Sequence, residues 1–220
     1  MKVLHVPCYH CKDVLIALRK NISVLSPYRR IGVVATAQHL NQLGAVVEFL
    51  NSCGKEAIAG GQVLGCSQEA ALGIEKKVDC ILYIGSGMFH PAGLSAKSEK
   101  PVILLNPYSE TLAALPAAES ERYRRRQTGR LAKYLAAGTI GILVSTKTGQ
   151  FSLKRAREFR KKIISGGKTA FIFAGEELSP ANLLPFKVDC WVNTACPRMV
   201  DDHYDRPVVN LEEVESLSKM

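Results

Sequence analysis

The sequence lacks the long apolar run, roughly 18 residues, that a membrane-spanning helix needs. Its first seven residues are too few and too polar for a secretory signal peptide, so we expect a cytoplasmic protein without a membrane segment. Low-complexity segments are also missing, and 47% hydrophobic against 22% charged residues excludes a disordered or collagen-like chain. A length of 220 residues allows one large domain or two small ones.

The sequence has few acidic residues: 20 Asp and Glu against 29 Lys and Arg, which gives a net charge of +9. This excess suits an anionic partner without selecting one. Two basic stretches carry much of it: residues 119–133, which we predict as a helix joining two units, and residues 154–162. A solvated helix face is the simpler interpretation, and a docking surface for an acidic or RNA-bound partner is the alternative. We expect no direct binding of nucleic acid.

Four short segments recur in the same order about 110 residues further along the chain, which indicates an internal duplication. The matched pairs are Ile31-Gly32-Val33-Val34 with Ile140-Gly141-Ile142-Leu143, Gly54-Lys55 with Gly167-Lys168, Lys77-Val78-Asp79-Cys80 with Lys187-Val188-Asp189-Cys190, and Pro101-Val102-Ile103 with Pro207-Val208-Val209.

Each copy alternates short apolar runs with a segment of helical periodicity, which predicts an α/β fold with a parallel sheet in each of two repeated units. The predicted helices cover residues 40–51 and 153–165. The predicted strands cover residues 31–35, 56–59, 80–84 and 102–105 in the first unit, and 140–144, 169–174, 190–193 and 208–210 in the second. We assign residues 28–136 and 137–220 to the two units.

The N-terminal segment resembles the end of a repeat. Residues 2–7 are similar to residues 101–107, and we predict that both form a final strand leading into a helix, here about residues 12–21. Residues 1–27 are therefore interpreted as the remnant of a missing unit, and the ancestor as a protein of three units.

Seven cysteines in a reducing compartment favour buried thiols or a soft-metal site over disulfides. Ligands of parallel α/β sheets gather beyond the carboxyl ends of the strands, and this rule sorts the cysteines. Cys80 and Cys190 begin matching strands and are predicted core residues, while Cys53 ends a helix. The predicted positions beyond strand ends belong to Cys66, Cys196 and Cys8, with Cys11 one turn later.

A glycine-containing loop, Gly85-Ser86-Gly87-Met88-Phe89-His90-Pro91, also follows a predicted strand. Its glycines let the backbone approach a ligand closely, but the spacing is neither a dinucleotide fingerprint nor a phosphate-binding loop. His90 is either a ligand-binding or a structural residue. Gln38 follows another strand and either binds a ligand or caps the next helix.

Residues 61–67, 85–91 and 188–198 together resemble the diphthamide-synthesis radical enzymes, the family of archaeal 2-(3-amino-3-carboxypropyl)histidine synthase. The most specific feature is a Gly-Gln-Val-Leu-Gly-Cys loop combined with a late Ala-Cys-Pro-Arg. The resemblance implies three related domains that each supply one cysteine to a [4Fe–4S] cluster. Cys66 matches the second-domain ligand and Cys196 the third, and the first domain has no counterpart here.

The resemblance also implies a function. Family members cleave S-adenosylmethionine to a 3-amino-3-carboxypropyl radical and transfer it to a histidine of translation elongation factor 2. It implies a cluster site between the two units, an electron donor and a homodimer. For the third cluster ligand we favour Cys8, at a strand end, over Cys11, at a helix start. Cofactor-binding residues would be Gln38, Gly85, Ser86, Gly87, Phe89, His90 and Ser145.

Two alternatives remain open. The chain could be a non-catalytic partner subunit that delivers electrons or docks the substrate. Cys8-Tyr9-His10-Cys11 could instead be half of a structural zinc site, although no second pair has the expected spacing.

Overall fold

The computed structural model describes residue 4 and residues 6–217, and the chain divides into two compact units between Tyr123 and Arg124. This division falls inside one long helix, Ala117–Ala136 (α5). Among the described residues, no helix is both long and apolar enough to cross a membrane.

The described part of the first unit contains a five-stranded sheet in the order β2-β1-β3-β4-β5. Strands β1 to β4 are parallel, and β5 is antiparallel to β4. The strands are β1 (Arg30–Ala35), β2 (Glu56–Gln62), β3 (Cys80–Ile84), β4 (Val102–Asn106) and β5 (Thr111–Ala114). The α-helices are α1 (Val14–Lys20), α2 (Leu43–Ser52), α3 (Glu69–Leu72) and α4 (Phe89–Lys97), with 3-10 turns at Ile22–Leu25, Ala37–Gln42 and Glu75–Lys77.

The described part of the second unit contains a four-stranded parallel sheet in the order β7-β6-β8-β9. Its strands are β6 (Thr139–Ser145), β7 (Thr169–Gly175), β8 (Cys190–Asn193) and β9 (Val208–Asn210). Its helices are α6 (Leu153–Ser165), α7 (Pro180–Leu183) and α8 (Leu211–Leu217), with a 3-10 turn at Pro197–Asp201. The predicted α/β class with a sheet in each of two units is thus confirmed. The sheet of the first unit departs from the predicted parallel arrangement at β5, and neither β5 nor the short helices α3, α4, α7 and α8 were predicted.

Both sheets are covered on two faces, as their continuous apolar strands require. In the first unit, α1 and α2 pack on one face of the sheet, while α3 and α4 pack on the other. In the second unit, α6 and α8 cover one face, and α7 and the 3-10 turn cover the other, around the buried Trp191. The carboxyl ends of the strands are left for loops.

The recurring Asp of the Lys-Val-Asp-Cys segment performs the same task in both units. Asp79 accepts hydrogen bonds from the backbone N–H groups of Arg29 (3.2 Å) and Arg30 (2.8 Å) at the start of β1. Asp189 accepts them from Gly138 (3.0 Å) and Thr139 (2.7 Å) at the start of β6. Each carboxylate therefore connects the amino-terminal ends of two neighbouring strands, β1 and β3 in the first unit and β6 and β8 in the second. The hydrogen-bonded Arg30 guanidinium lowers the pKa of Asp79 to about 2.

The recurring Gly-Lys pair also has the same conformation and the same kind of contacts in both units. Gly54 and Gly167 adopt positive φ angles of 78° and 81°, which suit glycine at a helix C-terminus. The ammonium of Lys55 donates to the carbonyls of Leu25 and Tyr28, each at 2.9 Å. Lys168 donates to the carbonyl of Leu135 at 2.6 Å. The matched residues therefore make equivalent contacts in the two units, as the duplication inferred from the sequence predicts.

The N-terminal strand predicted for residues 2–7 is not seen where the structure describes that segment, because residues 4, 6 and 7 have no strand. Residues 1–3 and 5 lie outside the described residues. The helix predicted for residues 12–21 is shorter, and Asp13 caps it by accepting a hydrogen bond from the Leu15 N–H.

Candidate cysteine and cofactor sites

Cys66 is exposed on a short loop beyond the carboxyl end of β2. The pairing of β1 with β2 shifts register between Val33 and Val34, so that Gly60 is an extra residue and Gly61 takes a φ of 111°. Such bulges bend a strand and redirect the residues that follow it. The loop is closed by a hydrogen bond of 2.8 Å from the Leu64 N–H to the Ser67 carbonyl.

The Phe89 ring packs directly against this loop. A Cβ at Gly65 would lie 2.5 Å from Phe89 Cε1, so only glycine fits between Leu64 and Cys66. Phe89 begins α4, which follows β3. The ring therefore holds the backbone next to the Cys66 thiol, and the cofactor contact predicted for Phe89 stays a prediction.

Cys196 is exposed in the turn that follows β8 in the second unit. The buried Asn193 side chain donates to the Cys196 carbonyl (2.8 Å) and to Asn210 Oδ1 (2.9 Å), and it accepts from the Ala195 N–H (2.9 Å). Thr194 Oγ1 donates to the Leu143 carbonyl at 2.8 Å. These buried bonds fix the turn and leave the thiol accessible.

Cys8 and Cys11 are both exposed and flank a hydrogen-bonded segment of the first unit. The His10 N–H donates to the Gln38 carbonyl (2.8 Å), and the Gln42 amide donates to the Lys12 carbonyl (2.8 Å). This segment lies beside the turn that follows β1. Since β1 and β2 are neighbours, it is at the same edge of the sheet as the Cys66 loop.

The reasons for preferring one of these two thiols need correction. Cys8 does not follow a strand in the described residues, and Cys11 precedes the Asp13 cap and so lies outside the first turn of α1. Neither strand-end rigidity nor a helix terminus therefore separates them. What separates them is that both neighbours of Cys11 are anchored by hydrogen bonds to Gln38 and Gln42.

The remaining cysteines lie away from the strand ends. Cys80 and Cys190 are fully buried, and burial raises the pKa of each thiol to about 12. Cys53 is exposed at the C-cap of α2. Buried thiols with such pKa values stay protonated at neutral pH, and a protonated thiol is a poor metal ligand.

In residues 6–217, no three His, Cys, Asp or Glu side chains are grouped so that they could hold a metal ion, and residues 8–11 are no exception. The chemistry of the exposed strand-end thiols nevertheless fits an iron–sulfur cluster, which is bound by cysteine thiolates. Cys66 and Cys196 meet two requirements of such ligands, since each is accessible and each is carried by a hydrogen-bonded turn.

A cavity of about 220 Å³ in the first unit collects residues from several strand ends, and it is lined by Thr36, Gln38, His39, Ser86, His90 and Tyr108. Gln38, Ser86 and His90 were predicted from sequence, whereas Thr36, His39 and Tyr108 were missed. Each missed residue follows β1 or β4 closely, so the strand-end rule was the available signal. Gly85 and Gly87, also predicted as cofactor contacts, are not among the residues that line this cavity. Both positions nevertheless require glycine, because a Cβ at Gly85 would clash with Tyr83 and Gly87 has a φ of 77°.

A second cavity, of about 370 Å³, lies at the strand ends of the second unit. Cys196 and the buried Ser145 both line it, so the structure brings a predicted cluster ligand and a predicted cofactor residue to one cavity. Ser145 Oγ accepts a hydrogen bond from the Lys147 N–H at 3.1 Å. The wall also carries the charged residues Lys147, Glu176, Glu177 and Asp202.

Comparison with known sequences gives a consistent result. A family described as "Putative diphthamide synthesis protein" matches residues 1–219. The 2-(3-amino-3-carboxypropyl)histidine synthase of Pyrococcus horikoshii is 34% identical over 97% of this chain and 65% of its own length. The synthase of the same name from Methanocaldococcus jannaschii is 30% identical over 71% of this chain and 46% of its own length.

Comparison with solved structures agrees. The crystal structure of Dph2 from Pyrococcus horikoshii matches with a TM-score of 0.85 and 34% identity, over 95% of this chain and 63% of that one. A second crystal structure of that Dph2, which contains a 4Fe-4S cluster, matches with a TM-score of 0.84. The chain thus spans less than two thirds of the length of the relatives that it matches.

Proposed function

Because the chain belongs to the diphthamide synthesis protein family, we propose that it binds a [4Fe–4S] cluster and uses it on S-adenosylmethionine. The product is a 3-amino-3-carboxypropyl radical, which is transferred to a histidine of translation elongation factor 2. A bound cluster would supply the electron that breaks the bond between the sulfur and the γ-carbon of the methionine part. The protein binds and orients the reactants and excludes water.

One observation carries this proposal: Cys66 and Cys196 are exposed on ordered turns at the carboxyl ends of β2 and β8, in a chain 34% identical to a Dph2 that contains a 4Fe-4S cluster. Each unit thereby offers one thiolate. Three thiolates would leave one iron open for the methionine part of S-adenosylmethionine. Ser145, which shares a cavity with Cys196, and Gln38, Ser86 and His90 of the first-unit cavity are the proposed cofactor contacts.

Anaerobic cluster reconstitution followed by product analysis tests the activity. With S-adenosylmethionine and a reductant we expect methylthioadenosine, because breakage of the bond to the γ-carbon leaves the methyl group on sulfur. Chromatography with authentic standards separates this product from 5′-deoxyadenosine. The latter would show that a different carbon–sulfur bond breaks, which would contradict the proposal.

The third thiolate is proposed to come from Cys11, whose neighbours are anchored, with Cys8 as the competitor. We expect Cys11→Ala to release iron or leave a smaller cluster, because a cluster tolerates little displacement of its ligands, while Cys8→Ala retains most of the iron. Iron and sulfide determination with electron paramagnetic resonance measures this. The opposite result would assign Cys8, and equal tolerance would mean that neither thiol completes the site.

The partners belong to the same proposal. Elongation factor 2 is the protein substrate, an electron donor reduces the cluster, and the chain forms a homodimer in the cytoplasm. The alternative is a non-catalytic partner subunit, and it would be favoured if the chain with full cluster content gave no turnover.

A further inference from the structure

Strand β7 lies at the edge of the second sheet and, in the described part of that unit, pairs only with β6. We propose that β7 accepts an extended segment of a partner protein as an additional strand. The segment would carry acidic side chains on the face covered by α6 and apolar side chains on the face covered by α7. The inference concerns residues of one unit and is independent of the cluster and of the proposed reaction.

Every second residue of β7 directs its backbone groups away from the sheet. The Thr169 N–H donates to the Gly138 carbonyl, and the Gly175 carbonyl accepts from the Thr146 N–H, so the odd-numbered residues of β7 face β6. Successive residues of a strand point their N–H and C=O groups in opposite directions. The even-numbered residues of β7 therefore face the open edge.

These outward residues are Ala170, Ile172 and Ala174. Among the described residues, only the Ala170 carbonyl has a hydrogen-bond partner at this edge, the Nε of Arg160 at 3.0 Å. The N–H and C=O groups of Ile172 and Ala174 remain available. Such groups are what a sheet uses when it binds an extended peptide as a further strand.

The matching edge of the first unit is protected, whereas β7 is regular. Strand β2 contains the bulge at Gly60 and Gly61, and its first outward N–H, that of Ala57, donates to Asn51 Oδ1 at 2.8 Å. Strand β7 pairs with β6 over all seven of its residues without a bulge. Bulges and blocked backbone groups keep edge strands from pairing with other chains, and β7 has only the single Arg160 contact.

The side of the sheet covered by α7 is apolar next to the open edge. Phe171 and Phe173 are two positions apart on β7 and share this face. Phe171 is 51% exposed, and the Phe173 ring contacts Phe186, which is 47% exposed, edge-on at 4.7 Å between centroids. Leu184, just after α7, is 66% exposed. Together these side chains offer an apolar surface to one face of an added strand.

The side of the sheet covered by α6 is basic next to the open edge. Arg157, Arg160 and Lys161 are exposed and follow the spacing i, i+3, i+4, so they form one basic stripe along the helix. The contact of Arg160 with Ala170 places this stripe beside the edge of β7. Arg157 and Lys161 have no ion pair among the described residues. Acidic side chains on the facing side of an added strand would complement the stripe.

The basic stripe also disfavours a second copy of this chain as the occupant. Antiparallel pairing of β7 with the β7 of another copy would place both α6 helices on one face of a continuous sheet, with their basic stripes side by side. The sequence of β7, Thr-Ala-Phe-Ile-Phe-Ala-Gly, contains no acidic residue that could offset this repulsion. Like charges brought together at an interface suppress the pairing.

A synthetic peptide tests the inference on the full chain. The probe is the amidated octapeptide Glu-Val-Glu-Phe-Glu-Val-Glu-Phe, labelled with fluorescein at its amino end, at about 0.15 M salt, where exposed charges are screened beyond about 8 Å. We expect a saturable rise in fluorescence anisotropy. Amide exchange measured by nuclear magnetic resonance should slow at Ile172 and Ala174 and stay unchanged at Thr169, which already donates to Gly138.

Control peptides separate strand addition from attraction between charges, and they need no variant protein. A peptide of the same composition with its Glu residues grouped at one end keeps the charge without the alternation, and it should bind at least about tenfold more weakly. N-methylation of the four Glu residues, or of the four apolar residues, should abolish binding in one of the two peptides only. Only one of these sets directs its N–H groups towards β7.

Two pairs of variants locate the surface. Ala174→Pro removes an outward N–H but no bond to β6, and Ala174→Ser is its matched control. Lys161→Glu reverses a charge of the basic stripe. Lys162→Glu makes the same change on the side of α6 that carries Arg155, which pairs with α8. We expect Ala174→Pro and Lys161→Glu to weaken binding about tenfold, with unchanged binding in both controls and unchanged thermal unfolding in all four.

The inference is supported by saturable binding with slowed exchange at Ile172 and Ala174. It is overturned if the alternating peptide does not bind, or if Lys161→Glu and Lys162→Glu weaken binding equally. Equally tight binding of the grouped peptide or of an eight-nucleotide uridine RNA would show a general polyanion surface and would also overturn it. So would slowed exchange at these amides that grows with protein concentration and needs no peptide, since the occupant would then be a second copy.

Discussion

Replacing Cys66 or Cys196 with serine is expected to prevent this protein from binding the proposed [4Fe–4S] cluster. After reconstitution, the broad thiolate-to-iron absorption near about 400 nm should be absent and the iron content should stay at background, since each substitution removes one soft ligand from the proposed set of three. Serine preserves the size of the side chain and the backbone bonds of the turn. The turn around Cys196, for example, depends on Asn193 and Thr194 and makes no use of the thiol.

Cys53→Ser is the best matched control, because Cys53 is also exposed yet ends a helix and does not follow a strand. Cys80→Ser and Cys190→Ser should retain the cluster as well, since both thiols are buried at strand starts and have pKa values raised to about 12. Loss of iron in Cys80→Ser together with its retention in Cys196→Ser would show that the assignment by strand ends is wrong.

Gly141→Ala is expected to be the most destabilising single methyl addition in the second unit. A Cβ at Gly141 would lie 2.2 Å from Trp191 Cζ3, and the indole is 2% exposed and packed edge-on against Phe173 at 4.9 Å. The rigid ring has no room to retreat. We expect a loss of about 3 kcal/mol in the free energy of unfolding, the upper end of ordinary overpacking, measured by denaturant titration with Trp191 fluorescence.

The duplication provides the control for this prediction. Gly32 occupies the matching position of β1, but the atom that a Cβ would meet there is Ile74 Cδ1, at 2.6 Å. The end of an isoleucine side chain can rotate away, so Gly32→Ala should cost only about 1 kcal/mol. A Cβ at Gly129, on the exposed helix α5, would have no atom of the described residues within 4 Å, so Gly129→Ala should be neutral or stabilising. Equal losses at Gly32 and Gly141 would contradict the argument.

Much of the architecture is readable from short-range signals. The strands at Cys80–Ile84, Cys190–Asn193 and Val208–Asn210 and the helix at Leu153–Ser165 have the predicted bounds, because continuous apolar runs and helical periodicity are local properties. The antiparallel β5, Thr111–Ala114, was not predicted. It is short, and it becomes a strand only by pairing with the edge of β4, which is a tertiary event.

Some features of the candidate sites could also be predicted from the sequence, while others depended on the tertiary structure. Cys66 and Cys196 were identified from their loops, and the predicted burial of Cys80 and Cys190 is confirmed. The reasons given for Cys8 and Cys11 failed, since they depended on a strand and a helix start that the described residues do not place there. The contact of Phe89 with Gly65, which supports the Cys66 loop, was not predicted from the sequence, and the cofactor contact predicted for Phe89 stays a prediction.

The sequence by itself therefore determined the α/β class, the duplication, the family and the two strand-end cysteines. Each of these depends on short contiguous segments and on the spacing between them. Tertiary structure alone decided that Thr36, His39 and Tyr108 line one cavity, since they come from the ends of β1 and β4, strands that are separated in the chain and have β3 between them in the sheet. It also decided that His39 Nδ1 is buried without a hydrogen-bond partner among the described residues, because burial depends on everything packed around an atom and not on its neighbours in sequence.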